Sequence, residues 1–562
     1  MKKSILATVL AVALALAGVG MTPAQAKTAD TGTMKITVKG GDDLVPGADV
    51  NLSPTDIDWD VVDAKNLDTY VYGTTDSKGT FTSPELAPGK WELTVSLWAG
   101  TSVSTTQSVT VTANKDDAKT ITLDGIQAIK GKVTANGKPV SSGTVQLDGA
   151  GYHWDELTNG SYMFWVKPGT YTVEVSPEWG KARTWLTTYS GNTVRFPDAK
   201  KIKVSKSKSV TVDIKAYDKI GKITGTVTDA KGKPAKGVNV YANALNRAGN
   251  ASAVTDSKGK YTLTGLPADK YSVNAYVDAG YQWVSKTTTV KTKATAKVNL
   301  KLPKVTKHKG KIVVTLKVPK ALVKAGQACA VAFNSKGLWS GSDCLRSDGK
   351  SKTLTIEGLA AGKYKVALTG ANTSKTVTVK KNKTTKVKMT RVTGTTLSGK
   401  VSKPNGKALA SAYVTVTDEN GTSLYSQPTD AKGKYKISGV VKGKYTVSAR
   451  ASNSKDGVAV TKKLTLKGKK ATANLKLIKP STITGKVVNS KGKAVEGIDV
   501  SVGWGWGETG AKGTYKIEGL AAGTYTAEAR DPYYGGYFDG KSSKKKVGTG
   551  KTVKFSTIKV KS

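Results

Sequence analysis

The sequence predicts an all-β protein: a tandem array of about six small antiparallel β-sandwich repeats behind a signal peptide. Three observations predict it. A Gly-x-Tyr or Gly-x-Trp element, Asp-Lys-Tyr in its third copy, recurs with its aromatic at positions 91, 171, 271, 364, 445 and 525, a period of roughly 80 to 100 residues. The chain has 60 Gly but only 6 Phe and 5 Met, and no long segment has a 3.6-residue apolar period, so short strands and tight turns are expected. Finally, Lys2 and Lys3 precede an apolar run, Leu6 to Val19, and then Pro23-Ala24-Gln25-Ala26. That order of positive, apolar and small residues is an export signal, cleaved before Lys27.

The clearest repeat runs Ile223-Thr-Gly-Thr-Val227, Gly232-Lys-Pro234, Gly237-Val-Asn-Val240, Thr255-Asp-Ser-Lys-Gly-Lys-Tyr261, Gly265-Leu-Pro-Ala-Asp-Lys-Tyr271 and Lys297 to Leu302. Val238, Val240 and Ala242 alternate with polar positions, as in a half-buried strand. Thr-Asp-x-Lys-Gly is a turn in which Asp bonds to backbone N–H groups and Gly takes a positive φ. The aromatics that follow face inward, and about seven strands fit a small sandwich. The resulting divisions are a signal peptide over 1–26 and repeats over 27–126, 127–217, 218–304, 305–393, 394–479 and 480–562. No other stretch is apolar enough to span a membrane. No Leu-Pro-x-Thr-Gly motif is present, so covalent wall anchoring by that route is not expected.

Formal charge is +47, unevenly placed: −6 over residues 27–199 and +51 over 200–562. Only seven of the 88 basic residues are Arg. Lys is a hydrated point charge without the guanidinium fork, so the basic part suits diffuse attraction to polyanions and not specific recognition of nucleic acid. Lys297, Lys301, Lys386 and Lys388 fall on the solvent side of closing strands, where they also block edge-to-edge pairing. Cys329 and Cys344 are the two cysteines. In an exported chain they suit one disulfide, contributing about 3 kcal/mol in the chain-entropy model.

The Gly-Lys-Pro…Gly…Val, Asp-x-x-Gly-x-Tyr and Gly-Leu-x-x-Gly-x-Tyr elements resemble the carboxypeptidase-regulatory-like repeat, a prealbumin-like (Ig-like) sandwich related to the B-type repeats of collagen adhesins. The resemblance covers nearly all of the mature chain and is strongest in the third, fifth and sixth repeats. Arg183 to Asn192 and Asp531-Pro-Tyr-Tyr-Gly-Gly536 resemble an aromatic-Gly loop of repeats on secreted actinobacterial proteins. The resemblance implies extracellular accessory or surface modules. Some relatives are grouped with starch-binding-like, carbohydrate-binding folds, so a glycosidase name could attach to such a chain without a catalytic domain.

No catalytic constellation emerges. His153-Trp-Asp-Glu156 spells His-x-x-Glu, but the only other histidine is His308, and a zinc peptidase site needs a third ligand and an α/β domain. Asp56, Asp58 and Asp60 alternate around Trp59 without the Gly of a calcium loop. No enzyme activity, metal or cofactor is expected. Asn299 and Asn474 alternate outward, and the acid candidates Glu357 and Glu518 sit in other repeats, so no Lys–Asn isopeptide bond is expected either.

Aromatic residues are the binding candidates. Trp504 and Trp506 share parity with the inward Ile498, Val500 and Val502, which predicts core packing. As a flat pair spaced by Gly they also fit a sugar-stacking surface. Trp179, Trp185, Tyr189, Tyr533, Tyr534 and Tyr537 lie in Gly-, Ser- and Pro-rich segments, either as an exposed platform or as caps on the sandwiches. Two functions follow. The first is a secreted, non-catalytic surface or matrix binding protein, associated non-covalently with an anionic cell-wall or host polymer. The alternative is a carbohydrate-binding repeat array that uses the loop aromatics on a glycan.

Overall fold

The computed structural model describes residues 30–99, 102–151, 153–206, 208–277, 282–304, 308–324, 326, 328–346, 352–468 and 470–562. The segment 1–26, read from the sequence as a signal peptide, lies outside them. Among the described residues no helix is long and apolar enough to cross a membrane.

The third repeat shows how the sequence builds one unit. Its first strand, Ile220–Thr228, pairs antiparallel with the fourth, Lys260–Pro267. It pairs in parallel with the seventh, which is split into Thr295–Lys297 and Leu300–Lys301. A second sheet runs third, second, fifth, sixth: Asn250–Val254, Asn239–Ala244, Asp269–Val277, Gln282–Val290. Between the sheets lie Ile223, Val227 and Leu263 against Val240, Ala242 and Val273. This strand order repeats six times along the chain, and six clusters of buried residues, one centred in each unit, form the cores. The parallel first-to-last pairing closes each unit and leaves Lys297, Lys301, Lys386 and Lys388 exposed beside buried Val298, Leu300, Val387 and Met389.

Each recurring motif has a specific task. In Ile-Thr-Gly-Thr-Val, a Cβ on Gly225 would lie 1.7 Å from the Val298 carbonyl oxygen. That carbonyl turns into the sandwich and accepts from the Tyr261 hydroxyl at 2.6 Å. Tyr435 to Ala473 and Tyr162 to Val212 repeat the contact. The inward carbonyl interrupts the ladder, and the next side chain replaces the lost bond: Asn299 Oδ1 accepts from the Thr226 N–H, Asn474 from Lys400 and Asp213 from Lys132.

The Thr of Thr-Asp-x-Lys-Gly is a buried latch. Thr255 donates to the Ala235 carbonyl at 2.6 Å and accepts from the Val238 N–H at 2.9 Å. Thr75, Thr429 and Thr509 do the same in their units. The adjacent Asp256 accepts from the N–H groups of Lys258 and Lys260, the turn chemistry expected of Asp.

The Gly-x-aromatic element closes a third device, present in all six units. The ring is held from its polar tip by the carbonyl four residues earlier. Tyr171 donates to Lys167, Tyr271 to Pro267, Tyr364 to Ala360, Tyr445 to Val441 and Tyr525 to Ala521, at 2.8–3.0 Å. In the first unit Trp91 Nε1 donates to Ala87 at 3.0 Å.

Two features lie outside the repeat. Asp58 caps a short helix, Trp59–Lys65, by accepting from the N–H groups of Asp60 and Val61, which gives one member of the Asp56–Asp60 cluster a structural task. In the fourth unit Cys329 and Cys344 stand opposite each other on the second and third strands and are disulfide-bonded.

Removing the Tyr271 hydroxyl leaves the buried Pro267 carbonyl without its donor. Tyr271→Phe is expected to destabilise the third repeat by about 1–3 kcal/mol, read from native-state hydrogen exchange of amides in its fourth and fifth strands.

Candidate binding site where three repeats meet

The units do not lie only end to end. A loop of the sixth, residues 531–539, inserts against the second and third, and the contacts centre on arginines. Arg195, buried in the second repeat, places Nε 2.7 Å from Asp531 Oδ2 and Nη1 2.6 Å from Asp198. Its Nη2 donates to the Glu496 carbonyl, and its guanidinium lies over the rings of Tyr533 and Tyr537, 5.7 and 5.0 Å from their centroids. Asp531 is 0% exposed and accepts from the N–H groups of Tyr533 and Tyr537. Arg247 of the third repeat lies 3.4 Å from the Phe538 ring centroid and donates to the Gly536 carbonyl. In return Arg530 donates to the carbonyls of Ala244 and Arg247, and the Asp539 N–H donates to the Asn246 carbonyl.

The two glycines of Asp-Pro-Tyr-Tyr-Gly-Gly are needed here. Gly535 has φ +77°, and a Cβ would meet the Tyr217 ring at 3.2 Å. A Cβ on Gly536 would meet Asp531 Oδ2 at 2.4 Å.

Beside this junction is a cleft of about 960 Å³. Its floor is the solvent face of the second repeat's larger sheet, where Glu174 stands opposite Tyr189. Asn250, Ser252 and Thr264 of the third repeat form one wall, and Tyr533 and Tyr534 of the sixth form another. Trp179 stands at the rim, 91% exposed. Burial, then the negative charge of Glu174, pushes the Tyr189 phenol well above its ordinary value, so it remains a hydrogen-bond donor. Two carboxylates, Glu174 and Glu178, face two cations, Lys181 and Arg183, and Lys181 pairs with Glu178 at 2.8 Å. The cleft therefore combines aromatic faces and neutral hydrogen-bonding groups without net charge.

The sequence candidates thus divide. Trp179, Tyr189, Tyr533 and Tyr534 share the cleft. Tyr537 lies against Arg195 and belongs to the junction. Trp185 is corrected: it is 3% exposed and packs in the second core, so it is no part of a ligand platform. Trp504 and Trp506 are corrected in the opposite sense, being 104% and 71% exposed. The strand carrying Val500 and Val502 ends at a two-residue turn, Gly503-Trp504. The turn resets the alternation, sets Trp506 opposite outward Ser501, and directs Gly505 and Gly507 toward Ile517.

His153 and Glu156 lie on one short strand, with His153 buried against Phe164 and Glu156 exposed. Residues three apart on a strand face opposite ways, so this pair cannot share a ligand. Among the described residues no group of three or more His, Cys, Asp or Glu side chains is placed to hold a metal ion.

Sequence reasoning missed one periodic feature. The third strand, at the edge of the larger sheet, carries an exposed aromatic in five units: Tyr72, Trp154, Trp339, Tyr425 and Trp506. Each precedes its Gly-x-aromatic ring by roughly 17 to 25 positions, a recurrence that alignment of the repeats by that element would have exposed.

With this geometry in place, comparison with known proteins is informative about two units. Residues 222–303 and 396–477 match the family model described as carboxypeptidase regulatory-like domain. The third and fifth repeats are thus the two that are similar to this domain. The other four share the strand order of these regulatory-like units. No curated protein matches the chain. Among solved structures, the chain is similar to the Bacillus anthracis TIE protein at 16% identity, over 63% of this chain and 74% of that one, with a TM-score of 0.15. GBS52, the minor pilin of Streptococcus agalactiae, matches at 15% identity over 30% and 96%, with a TM-score of 0.23. BcpA, the major pilin subunit of Bacillus cereus, matches at 13% over 46% and 99%, with a TM-score of 0.14.

Arg195→Ala leaves Asp531 buried without its cation, a change expected to cost about 3–5 kcal/mol at the junction, measured as increased amide exchange over residues 531–539. The pH response has the opposite sense from a simple exposed ion pair. Burial holds the Asp531 carboxyl above its ordinary value, with Arg195 pulling it partly back. The docked form therefore holds the proton more readily than the open form. The contribution is complete below the ordinary carboxylate value and is lost as pH rises through the raised one. Protection of residues 531–539 is thus expected not to fall between about pH 7 and about pH 5.

Proposed function

We propose that the chain is an exported, non-catalytic surface or matrix binding protein, held by its lysine-rich repeats to an anionic wall or host polymer. The observation that carries this reading is the placement of charge: +51 over residues 200–562 against −6 over 27–199, on side chains that leave the sandwiches. Lys297, Lys301, Lys386, Lys388, Lys462, Lys463, Lys545 and Lys546 are all exposed. Such lysines attract a polyanion through its counterion atmosphere, with little demand on geometry. Their role in shielding strand edges is compatible with it.

A second reading, binding of a neutral carbohydrate, is favoured by the gathering of Trp179, Tyr189, Tyr533 and Tyr534 around one cleft. The two readings differ in salt response. Attraction to a polyanion falls steeply with ionic strength, whereas stacking of a neutral sugar does not.

Retention of the mature chain on immobilised heparin and on isolated cell wall is expected to fall steeply with salt. It is also expected to weaken when Lys297, Lys301, Lys386 and Lys388 are replaced by Glu. Retention that is the same at low and high salt contradicts the polyanion reading.

A further inference from the structure

We infer that the cleft is a saccharide site assembled only when the sixth repeat docks onto the second and third, so that sugar binding clamps the array shut. The inference rests on the carbohydrate reading of the cleft and extends it to a composite, closure-coupled site.

Three observations lead to it. First, no single repeat owns the cleft. The second supplies Glu174, Trp179 and Tyr189, the third Asn250 and Ser252, and the sixth Tyr533 and Tyr534. The second and third repeats already meet where the Arg183 N–H donates to Thr264, and Tyr533 and Tyr534, up to 360 residues away, join them only through the docking of the 531–539 loop. Second, the lining selects a ligand class. Flat rings offer faces to the apolar side of a pyranose. An amide, hydroxyls and a carboxylate offer partners to its hydroxyl groups. The balance of two acids and two bases gives a polyanion no advantage. A volume of about 960 Å³ is at the upper end for small-ligand pockets and accommodates a short oligosaccharide. Third, a tryptophan 91% exposed at the rim is left in water by the unliganded protein, which a stacked sugar would relieve.

The junction that closes the cleft shares one residue with its lining, Tyr533, whose ring lies under Arg195. Arg195, Asp531 and Phe538 hold the sixth repeat in place but do not line the cleft. Any ligand that contacts both Trp179 and Tyr534 binds the docked form and not the open one, and must shift the equilibrium toward docking by mass action.

The test uses the full mature chain, a panel of neutral gluco-, manno-, galacto- and xylo-oligosaccharides, calorimetry for affinity, and amide exchange over residues 531–539 for docking. One of these oligosaccharides is expected to bind and to slow exchange over 531–539. Trp179→Ala should weaken binding roughly tenfold and leave exchange without sugar unchanged. Arg195→Ala and the milder Phe538→Ala should raise exchange without sugar and weaken binding at least tenfold, although neither side chain touches the ligand. If Arg195→Ala does not fold, Phe538→Ala decides. Variants that open the junction yet bind like the wild type overturn the composite site and leave the carbohydrate reading standing. Unchanged exchange in both variants overturns it too, because these contacts would then not hold the junction. If no oligosaccharide binds the wild type, the carbohydrate reading itself fails and takes the inference with it.

Discussion

Every unit depends on one hydrogen bond, from the polar tip of an aromatic ring, buried in five units and partly buried at Tyr525, to the carbonyl four residues before it. The ring of Tyr171, Tyr271, Tyr364, Tyr445 or Tyr525 needs apolar surroundings along its length and an acceptor at its end. The turn before the fifth strand supplies both. The bond fixes the entry of the fifth strand, and with it the register of the larger sheet. Trp91 shows that the demand is for a long ring with a donor, not for tyrosine as such. The Thr latch and the inward carbonyl at Gly225 then fix the loops of the opposite sheet. In the third and fifth units all three satisfied buried polar contacts occur together and let a small core of Val, Ile and Ala specify one arrangement.

Basic residues divide the labour above the level of the repeat. Lysines lie largely on solvent faces, although Lys130 pairs with Asp43 of the first repeat and Lys455 with Glu518 of the sixth. Four of the seven arginines, Arg195, Arg247, Arg391 and Arg530, bridge units instead. Arg391 reaches from the fourth repeat to the Gly439 carbonyl of the fifth. A guanidinium can satisfy several carbonyls and a carboxylate at once, and it stacks on rings, which suits a buried junction where an ammonium would be left with unpaired donors. The scarcity of arginine in this lysine-rich chain is thus tied to where the repeats are joined. A diffuse basic surface and a neutral aromatic cleft can then coexist on one molecule.

Much of a single repeat was legible in the sequence because its signals are local. Alternation at Val238, Val240 and Ala242, the Asp256 turn and the inward Tyr261 and Tyr271 all depend on neighbours within a few residues. The errors came where a local rule was carried past its range. Parity was extended from Val502 to Trp504 and Trp506 across a turn that resets it. Trp185 was read by the composition of its segment, although its ring turns back into the core. The candidate site was only half visible. Its aromatic residues could be named, but nothing near Arg195 in sequence indicates that Asp531, 336 positions later, is its partner. Contacts of that span are set by how six sandwiches stack, which no periodicity reports.

The array is closed, with the sixth repeat seated on the second and third. Small-angle X-ray scattering of the mature chain, with Gly535→Val as the comparison, tests it most directly, because a Val side chain there would strike Tyr217. A compact distance distribution is expected for the wild type and a longer maximum dimension for the variant. A wild-type distribution as long as that of six units end to end, unchanged by the substitution, would contradict it.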